Sequence, residues 1–164
     1  MRSAEKHLTI KRSTLPHAGK GLFTTDFIPK DELVVEYKGR ITTWKNVDHN
    51  NGWNGYIFYL KRNHVIDAKP YKKALARYAN DAKGLSRKKG ISNNSIYEVN
   101  GSKVFIKSAR DILPGEEILV DYGKEYWDII RYNRRLEKRQ NKIRRKTKKQ
   151  SIIKKFRQGH RRAA

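Results

Sequence analysis

Short apolar runs, each cut off by a turn-forming residue, confine most of this chain to a β-rich fold of small sheets. Residues 7–13 alternate polar and apolar side chains, as a half-buried strand does. Further strand-like runs follow at residues 22–23, 32–37, 56–60, 65–68, 96–99, 104–106 and 118–120. Between them stand His17-Ala18-Gly19, Pro29-Lys30-Asp31, a loop over residues 50–55, and Pro114-Gly115. Asn100-Gly101 supplies two residues suited to positive φ and predicts a type I′ hairpin turn. Only residues 72–79 carry helical spacing, with Leu75, Tyr78 and Ala79 on one side.

Charge draws a boundary near the end of these runs. The 164 residues carry +23, and from Arg131 onward sixteen Lys and Arg face a single acid, Glu137. That is +15, which leaves +8 for the first 130 residues. We therefore expect one domain over residues 7–127 and a basic tail over 128–164, helical or disordered, with no proline to interrupt it. Apolar residues there, such as Ile143, Ile152, Ile153 and Phe156, are too sparse for a continuous core-facing stripe. Arg134-Arg135, Lys138-Arg139 and Arg144-Arg145 fit contact with nucleic-acid phosphates, and equally a nuclear localisation signal.

Absence of cysteine excludes disulfides, thiolate nucleophiles and thiolate zinc sites. The five histidines are scattered without ligand spacing, so no metal is expected. Residues 1–6 lack the apolar stretch of a signal peptide, and no run approaches the roughly 20 apolar residues that cross a bilayer. A soluble intracellular protein without a membrane partner is the expectation.

Three separated stretches carry the chemistry. Gly19-Lys20-Gly21 lets the backbone pass close to a ligand, although alone it reads equally as an ordinary turn. Ala76-Arg77-Tyr78-Ala79-Asn80-Asp81 centres on an asparagine, and alone its end reads as a helix C-terminal turn. Gly115-Glu116-Glu117-Ile118-Leu119-Val120-Asp121-Tyr122-Gly123 brings a tyrosine out of a buried strand beside a glycine. Together, over about residues 10–127, they resemble the SET domain, a family of S-adenosylmethionine-dependent protein-lysine methyltransferases. The nearest form is the small, cysteine-free type found in bacteria and viruses. The resemblance implies a mainly β, β-clip-like fold of several small sheets, with the Asn80 segment threaded under a neighbouring strand as a pseudoknot.

It also implies roles. Gly19, Lys20 and Gly21 would hold the methionine end of S-adenosylmethionine, with Arg77, Asn80 and Asp81 on the same cofactor. Tyr122 is the leading catalytic residue, near the methyl and sulfonium. Tyr56 matches an aromatic lining both cofactor site and lysine channel; Tyr59, on the opposite face by strand alternation, is the competing channel residue. Trp127 resembles an aromatic that stacks on adenine. Val120 stands where many relatives carry Phe or Tyr, and lacking a ring or hydroxyl it implies a pocket that tolerates higher methylation states. Asp81 replaces the usual histidine, the usual cysteine is missing, and Asn93-Asn94 occupies the place of a Pro-Asn pair.

The implied activity is methyl transfer to a lysine of a basic protein, histone or histone-like first, ribosomal or translational second. A catalytically silent SET-fold module for nucleic acid or chromatin is the competing class. Location follows from the source: nucleus or host nucleus for a eukaryotic or viral chain, cytoplasm or nucleoid for a bacterial one. Since enzyme and substrate are both cationic, Asp26, Asp31, Glu32, Glu36, Asp67 and Asp81 are candidates for a guiding acidic groove.

Overall fold

The computed structural model describes residues 4–50, 53–85 and 87–160, and side-chain surroundings as far as Ser151. Asn51 and Gly52 of the expected loop, Arg161 and Arg162 of the tail, and the side chains of Ile152, Ile153 and Phe156 lie outside the described residues. The chain divides into two units, Met1–Gly123 and Lys124–Ala164.

The first unit is built from three antiparallel three-stranded sheets. One contains β1 (Leu8–Arg12), β2 (Lys20–Thr24) and β9 (Glu117–Ile118), in the order β1-β2-β9. Another orders β3 (Leu33–Glu36), β8 (Lys103–Ser108) and β7 (Ser95–Asn100). The third orders β4 (Arg40–Thr42), β6 (His64–Asp67) and β5 (Ile57–Lys61). Buried side chains from all three meet in one cluster, among them Leu22, Val34, Ile66, Val104, Ile106 and Ile118. The alternation expected of half-buried strands appears most clearly in β8, where Val104, Ile106 and Ser108 are buried.

Two sequence expectations shift. The β7–β8 ladder runs to the pair Asn100↔Lys103, so the turn residues are Gly101 and Ser102. Only Gly101 (φ +61°) takes a positive φ, which suits the first central position of a type II′ turn rather than the expected I′. Asn100 is a strand residue. The helical spacing over residues 72–79 produces one 3₁₀ turn, Ala76–Tyr78, ended by Ala79 in extended conformation. Ala79 must extend because the chain there joins a β-bridge.

That bridge makes the crossing. Asn80 pairs in parallel with Leu119, and Ser95 pairs in parallel with Val120. Alternate backbone groups of an extended strand point to opposite sides, and both sides are used. Val120 N donates to Asn80 O (2.8 Å), while Asn94 N and Ser95 N donate to Leu119 O (3.0 Å each). Residues 119–120 therefore run between the two ends of the 80–95 segment, the pseudoknot-like threading that the sequence implied.

The second unit is one α-helix, α1 (Lys124–His160), of 37 residues. Lys, Arg and Gln are good helix formers and no proline intervenes, so the expected helical or disordered tail is continuous helix as far as His160. Its first turn is stapled by Lys124–Asp128 and Asp128–Arg131 ion pairs (2.6 and 2.9 Å). Among the described residues no helix is long and apolar enough to cross a membrane.

Candidate active site

Glu117, at the start of β9, is the hub on which the site is assembled. It is a buried carboxylate, and every donor in its hydrogen-bond set is neutral. Oε1 accepts from Ser13 Oγ (2.7 Å) and Asn80 Nδ2 (3.1 Å). Oε2 accepts from Thr14 N (2.7 Å) and Thr14 Oγ1 (2.6 Å). Asn80 Nδ2 also donates to Lys20 O at 2.9 Å, so one amide ties the Gly19–Gly21 segment to the crossing. Gly21 is the residue that makes the arrangement possible. A Cβ there would collide with the Glu117 carboxylate, so this glycine admits a group of the chain itself. At Gly19 (φ +75°) the Cβ direction is open, with nothing within 4 Å.

Asp81 has a structural task that the substitution for histidine did not reveal. Its buried carboxylate accepts from Asn93 Nδ2 (2.8 Å) and Lys83 N (2.7 Å) through Oδ1, and from Tyr122 N (2.9 Å) through Oδ2. Asn93 returns the bond, its Oδ1 accepting from Ala82 N (2.7 Å). Asp81 thus closes the 80–95 segment on itself and pins the strand threaded through it. Asn94, also buried, adds Nδ2 to Glu117 O (2.8 Å) and accepts from Leu119 N (2.9 Å).

Tyr122 leaves the crossing with its hydroxyl fixed. Ala79 O can only accept, so the hydroxyl donates to it, at 2.6 Å. The oxygen thereby presents lone pairs, not a proton, to its surroundings. Its ring stacks on Tyr97 (centroids 6.4 Å apart), which meets Phe58 edge-on (4.9 Å) and Tyr37 (5.9 Å). This aromatic row draws on four separate segments. Alternation along β5 turns Phe58 toward it and leaves Tyr59 exposed at 60% on the other face, away from these contacts. Tyr56 lies under the Arg77 guanidinium, 4.0 Å from ring centroid to Cζ, and its carbonyl accepts from the Tyr37 hydroxyl (3.2 Å). Arg77 donates to Lys69 O, while its Nε is buried without a hydrogen-bond partner among the described residues.

The neighbouring carboxylates are spoken for. Lys83 stands 2.5 Å from Asp121 and holds that carboxyl below its ordinary pKa, while Asp121 raises the lysine. Four of the six acids proposed as a groove have partners of their own. Asp81 is the internal clasp, Asp67 is buried near Arg40, Asp31 faces Lys107, and Asp26 lies beside His7.

Gly19, Lys20, Gly21, Arg77, Asn80, Asp81, Val120 and Tyr122 are thus linked through one crossing, with Tyr56 joined through Arg77. Val120 is fully buried in the central cluster. Trp127 belongs to the helical unit, where it meets Tyr126 edge-on (5.0 Å). Sequence reading missed Glu117, Asn93, Tyr37, Phe58 and Tyr97 as parts of the site. The signals for Phe58 and Tyr97 were their places in apolar strand-like runs, but the Ser13 and Thr14 partners of Glu117 are about a hundred residues away in sequence. Among the described residues there is no group of acids and histidines placed to hold a metal ion.

Three small sheets locked by a threaded segment, with an asparagine and a tyrosine at the lock, define a class of fold before any relative is considered. The SET domain matches residues 19–123, and the chain belongs to the SET domain family. It is 31% identical over 125 residues to the N-lysine methyltransferase KMT5A of Xenopus tropicalis, covering 70% of this chain and 36% of the relative. KMT5A-A of Danio rerio is 32% identical over 116 residues, covering 64% and 32%. A histone-lysine N-methyltransferase, H3 lysine-4 specific, from Cryptococcus neoformans is 32% identical over 130 residues, covering 74% and 8%. The chain thus spans about a third or less of the length of these curated relatives. SET domains use S-adenosylmethionine, and the site suits it: the backbone is open at Gly19, and Arg77 has a buried Nε donor without a partner among the described residues.

Proposed function

We propose that this chain is a protein-lysine N-methyltransferase acting on a lysine of a basic, histone-like protein. The observation that carries the reading is the junction at Asn80. It joins the glycine segment through Lys20 O, the hub through Glu117 Oε1 and the Tyr122 strand through Val120 N. Gly19, Lys20, Arg77 and Asn80 would hold S-adenosylmethionine, which when bound supplies a sulfonium-activated methyl group.

The residues of the chain then have distinct tasks. A lysine ammonium, with an ordinary pKa of about 10.4, must lose its proton before it can attack. The row Tyr37, Phe58, Tyr97 and Tyr122 offers an apolar wall that disfavours the charged form. Tyr122 cannot take the lysine proton while its own is committed to Ala79 O, so it orients rather than acts as a base. Its lone pairs favour the positive charge at the transferring carbon and align the amine. The relatives, an N-lysine methyltransferase and a histone H3 lysine-4 methyltransferase, favour a histone-like substrate over a ribosomal one. Such a substrate puts the enzyme in a nucleus or nucleoid.

The test is transfer of radiolabelled methyl from S-adenosylmethionine to histone, DNA-binding and ribosomal protein mixtures, comparing wild type with Tyr122→Phe. Labelled histone-like bands, weakened on the order of 10²–10³-fold by Tyr122→Phe, are expected. Undiminished label with Tyr122→Phe would refute the role of the hydroxyl. Cofactor binding without transfer to any mixture would favour a silent module.

A further inference from the structure

From Arg134 to Ser151 every residue of α1 is exposed. Eleven Lys and Arg lie between residues 131 and 149. Advancing about 100° per residue, all but Arg144 and Lys148 fall within an arc of about 140°. The ridge they form is about 27 Å long at a rise of about 1.5 Å per residue. Among the described residues only Arg131 of these bases is in an ion pair, with Asp128.

The back of the helix is of a different kind. Asn133, Gln140, Thr147 and Ser151 sit opposite the ridge, and the exposed apolar residues Tyr132, Leu136 and Ile143 form only a narrow flank. A helix that lies in a membrane surface sets a bulky apolar face against its basic one. This helix sets polar residues there, mostly uncharged, with Arg144, Glu137 and Lys148 at their edge. Meanwhile bases at i, i+3 and i+4 repel one another along the ridge, which costs the helix stability until a polyanion neutralises them.

We propose that this ridge is a binding site for duplex DNA, contacted through its phosphates with the helix seated in the major groove. A helix of about 10–12 Å diameter matches a groove about 12 Å wide. The deep, narrow major groove of A-form RNA does not admit it. No acid interrupts the arc, so the ligand is a continuous line of negative charge. The site is separate from the methyltransfer chemistry and does not depend on it.

The experiment uses the full chain and a fluorescein-labelled 24-bp DNA of arbitrary sequence, read by anisotropy across 50–200 mM salt. Two charge-matched variants are compared: Lys142→Gln/Arg145→Gln on the ridge, and Arg144→Gln/Lys148→Gln off it. Glutamine keeps helix propensity, and circular dichroism checks that helicity is held. With each phosphate contact contributing about 0.9 to the log–log salt slope, the ridge variant should lose about 1.8 of slope. Its affinity at 100 mM should fall roughly 10- to 60-fold, with a much smaller loss for the off-ridge variant. Equal losses would overturn the ridge in favour of diffuse attraction. Equal or tighter binding to a duplex RNA of the same length would overturn the groove seat. Absence of DNA binding at 100 mM, or capture by phosphatidylserine vesicles that DNA does not relieve, would overturn the proposal.

Discussion

Replacing Gly21 by alanine tests the hub directly. Gly21 takes no positive φ, so an added methyl is not strained by its own backbone. What it meets is Glu117, with the carboxyl carbon 2.8 Å and Phe23 Cε2 3.2 Å from the new Cβ. Phe23 need give only a few tenths of an ångström, whereas the carboxylate cannot give way without releasing Oε1 from Ser13 and Asn80. Hydrogen bonds to a charged group contribute about 1.5–3 kcal/mol each, so losing both costs about 3–6 kcal/mol. Urea denaturation should show that loss. Titration calorimetry should show S-adenosylmethionine bound at least tenfold more weakly, because Asn80 loses one of its two anchors. The decisive control is the same change in a Glu117→Ala background, where the collision is gone. There Gly21→Ala should cost under about 1 kcal/mol, giving a coupling of at least about 2 kcal/mol between the two sites. A single Gly21→Ala variant within about 1 kcal/mol of wild type, with normal cofactor affinity, would refute the hub.

Other consequences are open to direct measurement. Asp81→Ala leaves the Tyr122 and Lys83 amides and the Asn93 amide group without their acceptor, and should cost about 2–5 kcal/mol with faster hydrogen exchange at the Tyr122 amide. Unchanged exchange there would remove Asp81 from the lock. Arg110, paired with Glu116 across the 114–115 turn, holds that carboxyl below its ordinary pKa. A depressed folded pKa gives stability that is present above the unfolded value and lost as pH falls through the folded one. Glu116→Gln should therefore destabilise at neutral pH, and the gap should close below about pH 4 in a urea series. A gap independent of pH would rule out the ion pair as its source. With valine at position 120, mass spectrometry at exhaustive conversion should show di- or trimethyl-lysine, and monomethyl product alone would contradict that reading.

Local patterns made much of the fold legible. Alternation found β1, short apolar runs found β5 and β7, and the collapse of apolar content marked where the sheets end and the basic helix begins. β4 escaped because Arg40-Ile41-Thr42 has one apolar residue and no period to detect. The hairpin slipped by one residue because Gly101 satisfies either turn, and the ladder runs on through Val99↔Val104 to Asn100↔Lys103. Tyr122 and Asn80 were found through their short motifs. Glu117, Asn93 and the aromatic row were not, since their meaning lies in contacts between distant segments. Asp81 looked like a defect in a motif and is a clasp, a role visible only once Tyr122 N and Asn93 are beside it.

The threaded segment also orders events in time. Asn80 and Ser95 leave the ribosome before Leu119 and Val120, which must enter between them. A nascent chain that has reached only β8 has its glycine segment and asparagine but neither Glu117 to join them nor Tyr122 to use them. The last strand acts as a bolt: its arrival fixes the sheet order, fills the core with Ile118 and Val120, and completes the constellation at once. Such non-local pairing is slow to form, and a chain that stops before Glu117 holds the separate segments without the lock that joins them.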